Sequence, residues 1–150
     1  SLTVAGQGQF QNMFADAAKR DQRIDYLGVV PYEKVNGIEK TADILVALYD
    51  PVLKNHLYAS PNKFFEAMEL GKPLLMIKRS GMSNWLTKYG FGAVCEPSES
   101  GIAAGLQELV DKRQDWAKEA VLMRQIYQKE FAWPLMQQRL RRIYASFETK

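Results

Sequence analysis

The chain of 150 residues has one cysteine, Cys95, and one histidine, His56. A lone cysteine excludes an intrachain disulfide and suits a reducing cytosol. With no second histidine or cysteine beside it, His56 cannot build a structural zinc cluster, and no metal or other cofactor is expected. No apolar stretch approaches the roughly 20 residues that a membrane span needs, and no secretory leader is visible. Charge of one sign is scarce as well. Lys and Arg number 20 against 17 Asp and Glu, a net of +3. That balance permits an anionic ligand but falls short of the basic bias of nucleic-acid binders. Repeats, low-complexity tracts and linkers are missing. What is present is ordinary globular material, 47% hydrophobic and 25% charged, with enough length to bury a core in one domain, residues 1–150. The opening "SLTVAG" runs straight into a strand-like stretch, so a piece cut from a longer protein is expected.

Up to Lys112 the apolar pattern alternates between strand and helix. Strands are expected within "LTVAGQG" (Leu2–Gly8), around Ile24, Tyr26 and Leu27, over "DILVALYDP" (Asp43–Pro51), in "KPLLMIK" and over "FGAVCEP" (Phe91–Pro97). The near-continuous apolar run from Asp43 reads as a strand covered on both faces. Between the strands lie helical stretches. Gln9–Arg20 places Phe10, Met13, Phe14 and Ala17 at helical spacing, and "YEKVNGIEKTA" is weakened at Gly37. "GMSNWLTKYG" starts near Ser83 or Asn84 and stops at Gly90, and "SESGIAAGLQELVDKR" has Ser98 or Ser100 as its cap. Two more helices are expected near Asp115–Glu130 and Pro134–Phe147. Strict alternation argues for βαβ units: an α/β fold with a Rossmann-like parallel sheet of about five strands flanked by helices. Ligands of such sheets bind beyond the carboxyl ends of the strands. The loops that matter therefore follow Ala5, Leu27, Tyr49, Ile77 and Cys95.

The stretch "SPNKFFEAMELGKP" carries the most chemistry. Ser60 suits a helix N-cap and Pro61 a first helical residue, while Gly71 and Pro73 end the helix near Leu70. Asn62, Glu66 and Glu69 fall along one side with Lys63 beside them, and Phe64, Phe65, Ala67 and Met68 fill the other. A helix amino end has N–H groups without intrahelical partners and a partial positive charge, so it suits an anion, and Lys63 adds to it. Glu66 lies too far along to close a capping box with Ser60. Its carboxylate only accepts hydrogen bonds, which suits the vicinal diol of a ribose. On spacing alone, a solvated helix face is the stronger reading, and a nucleotide diphosphate site the other.

"SPNKFFEAMELGKPLLM" resembles the donor-binding motif of family 4 glycosyltransferases, in the subgroup with SPNK, then F-E-x-M and G-K-P. "LTVAGQG" and "RIDYLGVVPYEKVNGIEKTADILVALYDP" are similar to the segments that precede that motif, and "FAWPLMQQRLRRIY" to the family's closing helix. The resemblance covers nearly the whole chain. It implies the C-terminal half of a GT-B fold, with the acceptor domain absent. Glu66 then matches the second Glu of E-x7-E, which holds the ribose hydroxyls. Ser60, Pro61, Asn62 and Lys63 match the segment facing the diphosphate. The turn Gly28–Pro31, with Val30 and Pro31, would lie beside the base, and Gly6 joins the donor-binding set. The first Glu of the motif falls at Tyr58, a departure. The family's phosphate-binding Arg and Lys would lie upstream of Ser1, and no catalytic residue is assigned.

The implied activity is hexosyl transfer, with retention, from a UDP-, GDP- or ADP-linked sugar to a sugar or lipid-linked acceptor. Cell-surface polysaccharide or glycan synthesis is the implied setting, in the cytoplasm with peripheral contact at the inner membrane face and no nucleic acid. Alone, this piece would bind nucleotide weakly and transfer nothing. A GT-B nucleotide-sugar epimerase and a non-catalytic Rossmann-like interaction domain are the alternatives.

Lesser candidates have plain readings beside them. "VAGQG" lacks the third glycine of a dinucleotide fingerprint, Gln11 standing there, and reads as a strand-to-helix turn. His56 sits in a polar loop near the proposed site, and Cys95 in a core strand where inert burial is expected. Ser80, Gly81 and Ser83 form either a turn with a cap or a contact to sugar or phosphate. Arg139, Arg141, Arg142 and Lys150, with Leu135, Leu140, Ile143 and Phe147, make a basic amphipathic helix, either a solvated face or a docking surface.

Overall fold

The computed structural model describes residues 1–148, and they divide into two compact units, Ser1–Thr41 and a second beginning at Ala42. In the first unit, β1 (Leu2–Val4), α1 (Gln11–Arg20), β2 (Ile24–Tyr26) and α2 (Tyr32–Thr41) follow one another. β1 and β2 pair in parallel, with Leu2 opposite Ile24 and Val4 opposite Tyr26. Phe14 of α1 stacks on Tyr26 with ring centroids 6.4 Å apart. α1 starts two residues later than the spacing suggested, because Gly8–Phe10 form a turn that the Gln11 N–H closes onto Gly8 O at 3.1 Å. α2 runs unbroken through Gly37, whose helix penalty of about 1 kcal/mol is too small to stop it.

The second unit holds β3 (Leu45–Ala47), α3 (Lys54–Leu57), α4 (Asn62–Leu70), β4 (Leu74–Ile77), α5 (Ser83–Tyr89), β5 (Ala93–Cys95), α6 (Glu99–Asp111), a 3-10 turn (Arg113–Asp115), α7 (Trp116–Ile126), a π-helical turn (Tyr127–Phe131) and α8 (Trp133–Glu148). Its three strands form a parallel sheet in the order β3-β4-β5. β4 explains why the sheet is a sandwich filling. Leu74 and Met76 face Phe64, Ala67, Met68, Leu86 and Met123, while Leu75 and Ile77 face Ala93, Cys95 and Leu109. Side chains alternate along a strand, so every residue of β4 is buried, and both faces are covered, by α4 and α7 on one side and α6 on the other.

The strand expected to be covered on both faces was instead Asp43–Pro51. Only Leu45–Ala47 is strand there, and Val46 remains 38% exposed between buried Leu45 and Ala47. β3 is the edge of its sheet, so its apolar run overstated the cover. All five expected strands are present, each paired in parallel within its own sheet, of two strands in the first unit and three in the second. α6 opens as expected, with Ser98 Oγ accepting from the Gly101 N–H at 3.1 Å. α7 does not continue to Glu130 as an α-helix. It widens into the π turn, where Ala132 N–H reaches Tyr127 O at 2.8 Å. The extra residue turns Phe131 inward to meet Phe64, Phe65 and Trp85 edge to face.

Candidate functional site

α4 carries the candidate site, and both its ends are fixed. Pro61, buried, is the N-cap with φ −70° and ψ 133°, so helical geometry begins at Asn62. The first helical hydrogen bond is from Phe64 N–H to Pro61 O at 3.0 Å. Ser60 was expected to cap this helix, and it does not. The extended Pro61 starts the helix one residue later, and Ser60 Oγ instead donates to Met82 Sδ at 3.4 Å. At the other end Gly71 is left-handed (φ 66°), and Lys72 N–H closes onto Ala67 O at 2.9 Å. Arg124 Nη1 adds a bond to Leu70 O at 3.1 Å. A Cβ at Gly71 would strike that guanidinium and Ala120.

The segments that follow β3 and β4 meet just before α4. Gly81 N–H donates to His56 O at 2.8 Å, and a Cβ on Gly81 would run into the Ala59 carbonyl. His56 is not in an irregular loop. It lies on α3, its ring edge-on to Tyr49 at 4.9 Å and its Nδ1 2.9 Å from Asp50 O. Those contacts tie α3 back to the segment that leaves β3. Ser80 lies in a turn, its buried Oγ donating back to Ile77 O at 2.6 Å, but the cap expected beside it is absent, since Met82 is the N-cap of α5 and no side chain caps it. Ser83 is buried at the start of α5. Cys95 is buried too, its thiol pushed up by that burial, with Sγ 3.5 Å from Met76 O.

The polar face of α4 splits into two parts. Lys63 Nζ and Glu66 Oε2 pair at 2.8 Å, with side chains 38% and 17% exposed. Glu69, three residues on, is bonded to the Tyr127 hydroxyl. Burial first, and then that carboxylate, raise the Tyr127 phenol above its ordinary value. Glu69 therefore ties α4 to the π turn, which leaves Asn62, Lys63 and Glu66 on the polar face at the helix start. Asn62 is exposed, and Tyr58 stands almost fully in solvent. The first turn of α4 contains no acid. A helix on its own favours acids there, where the backbone leaves positive partial charge. This one has Lys63, answered one turn later by a partly buried Glu66. That arrangement concentrates positive charge at the helix start and sets a hydrogen-bond acceptor beside it.

In the first unit the carboxyl ends of β1 and β2 bring Gly6 against the turn that leads to Val30 and Pro31. Gly6 N–H donates to Gly28 O at 2.7 Å, and Tyr26 Oη donates to Gly6 O at 2.9 Å. An open cleft of about 290 Å³ lies here, lined by Gly6, Gln7, Gln9, Phe14 and Tyr26 among others. Val30 is half-buried, while Pro31 is exposed and its carbonyl accepts from Lys34 N–H at 2.9 Å at the start of α2.

One residue drew no notice in the sequence. Arg79, just beyond β4, is the non-glycine residue with positive φ (62°) among the described residues. Beside it Lys78 Nζ pairs with Glu96 at 2.8 Å, and that hydrogen bond holds the Glu96 carboxyl below its usual range. A backbone angle has no signature in an arginine codon position, so only coordinates reveal it. Among the described residues no three His, Cys, Asp or Glu side chains gather where they could hold a metal ion. Lys150, placed by its sequence on the basic closing helix, lies outside the described residues. Set against models of protein families and against curated proteins, the sequence matches none.

Proposed function

We propose that the chain is the donor-nucleotide half of a GT-B glycosyltransferase, which binds a UDP-, GDP- or ADP-linked sugar for hexosyl transfer to a sugar or lipid-linked acceptor. The observation that carries this is the Lys63–Glu66 pair at the start of α4. Lys63 opposes the helix dipole, so the helix by itself gives no reason for a cation there. An anion at the helix start does. The diphosphate takes the N–H end and Lys63, and Glu66 accepts from the ribose hydroxyls. Phosphate stabilisation also serves transfer, since charge grows on the departing diphosphate.

Calorimetry with matched ligands tests the assignment. A ribonucleoside diphosphate and its 2′-deoxy analogue should differ in affinity for the native chain. Glu66→Ala should weaken the ribonucleotide by about ten-fold or more, as the loss of a hydrogen bond to a charged group predicts, and should erase the difference between the two sugars. If Glu66→Ala leaves ribonucleotide affinity unchanged, the diol assignment is wrong. If no nucleotide binds, the chain is an interaction domain on the same scaffold.

A further inference from the structure

α8 leaves a large apolar stripe uncovered. Trp133, Leu140, Tyr144 and Phe147 recur at i, i+7, i+11 and i+14 on one side of the helix, with Ile143 next to them. They are 65%, 47%, 64%, 69% and 56% exposed, in that order. Met136 falls on the same side and is partly buried, as is Leu135 on the opposite side. Isolated exposed apolar residues need no explanation, but a continuous stripe along one helix does.

The charges around the stripe say what fits it. At about 100° per residue, Arg139 and Arg141 fall on its two flanks, and Arg142 on the polar back. From Ala132 to Phe147 there is no acidic residue. Arg139 Nη1 makes two long bonds, 3.5 Å to Glu130 O and 3.9 Å to Met136 Sδ. No described helix is long and apolar enough to cross a membrane. A helix of this kind lies in the plane of a lipid surface, apolar stripe down, arginines at headgroup level and Trp133 at the boundary. A second copy fits poorly, because two such faces would oppose arginines with no acid to answer them.

We propose that α8 docks on an anionic lipid surface. The proposal does not depend on the nucleotide reading. The test is co-sedimentation of the chain with vesicles of equal parts phosphatidylglycerol and phosphatidylcholine, and with phosphatidylcholine alone. The chain should pellet with the anionic vesicles only, and added salt should release it. Leu140→Glu and Tyr144→Glu change exposed positions, so circular dichroism should stay native while binding is lost. Arg141→Gln should weaken binding about five-fold, the contribution of one basic residue near such a surface. Equal binding to both vesicle types overturns the proposal, as does no binding to either. So does a dimer that Leu140→Glu dissolves without vesicle binding, since that gives the stripe to a second copy.

Discussion

Lys63 stands where a helix by itself favours an acid, and Glu66 answers it from one turn away at 2.8 Å. The two effects nearly cancel for stability. Lys63→Ala loses a partly buried i,i+3 ion pair worth about 0.5 kcal/mol but also removes a like charge from the helix's positive end. Its urea midpoint should therefore stay close to native, while affinity for a nucleoside diphosphate drops. A stability loss with unchanged affinity would make the pair a structural feature alone. Tyr89 offers a pH readout at the same scale. Its hydroxyl donates to Glu130 Oε2 at 2.5 Å, and burial first, with that carboxylate second, pushes the phenol up to about 12. A folded value above the ordinary one of about 10 stabilises the fold fully below pH 10 and is lost as pH rises toward 12. Absorbance titration at alkaline pH should show late tyrosine ionisation, and Tyr89→Phe should remove the part of it nearest pH 12.

The elements explain how these side chains are held. Gly71 is required twice over, by its left-handed φ of 66° and by the closeness of Arg124 and Ala120. Gly71→Ala should cost about 1–3 kcal/mol, from backbone strain with the added contact, read as a lower urea midpoint. Phe64 is fully buried against β4 and in edge contact with Phe65 and Phe131. Phe64→Ala should cost about 3–5 kcal/mol by the same measurement, and a smaller loss would mean the surrounding aromatics collapse into the space. The helix around Phe64 was legible because Pro61, Gly71 and Pro73 punctuate it. Its cap was misplaced by one residue, since Ser and Pro in succession both satisfy the start signal and only ψ at Pro61 decides between them. α3 spans four residues, too few for a helical period to register. The π turn depends on aromatic packing around Phe131, which connects residues far apart in the chain.

For the whole molecule, alternation of strand and helix was enough to give an α/β fold with five strands in parallel sheets. Their division into sheets of two and three strands had no sequence signal, because both sheets use similar short apolar runs. Burial of β4 on both faces follows from its central place, whereas the longer apolar run at β3 belongs to an edge. Of the candidate site, Glu66 and Lys63 were legible as helix neighbours. Their pairing to each other, and the diversion of Glu69 to Tyr127, depended on side-chain geometry and on a turn more than fifty positions away. The most direct test of the nucleotide reading is an NMR titration of the native chain with UDP, GDP and ADP. At least one should shift the amides from Ser60 to Glu66 in a saturable way, and Glu66→Ala should weaken that response. If none of the three perturbs those residues, α4 is not a nucleotide site and the glycosyltransferase reading is contradicted.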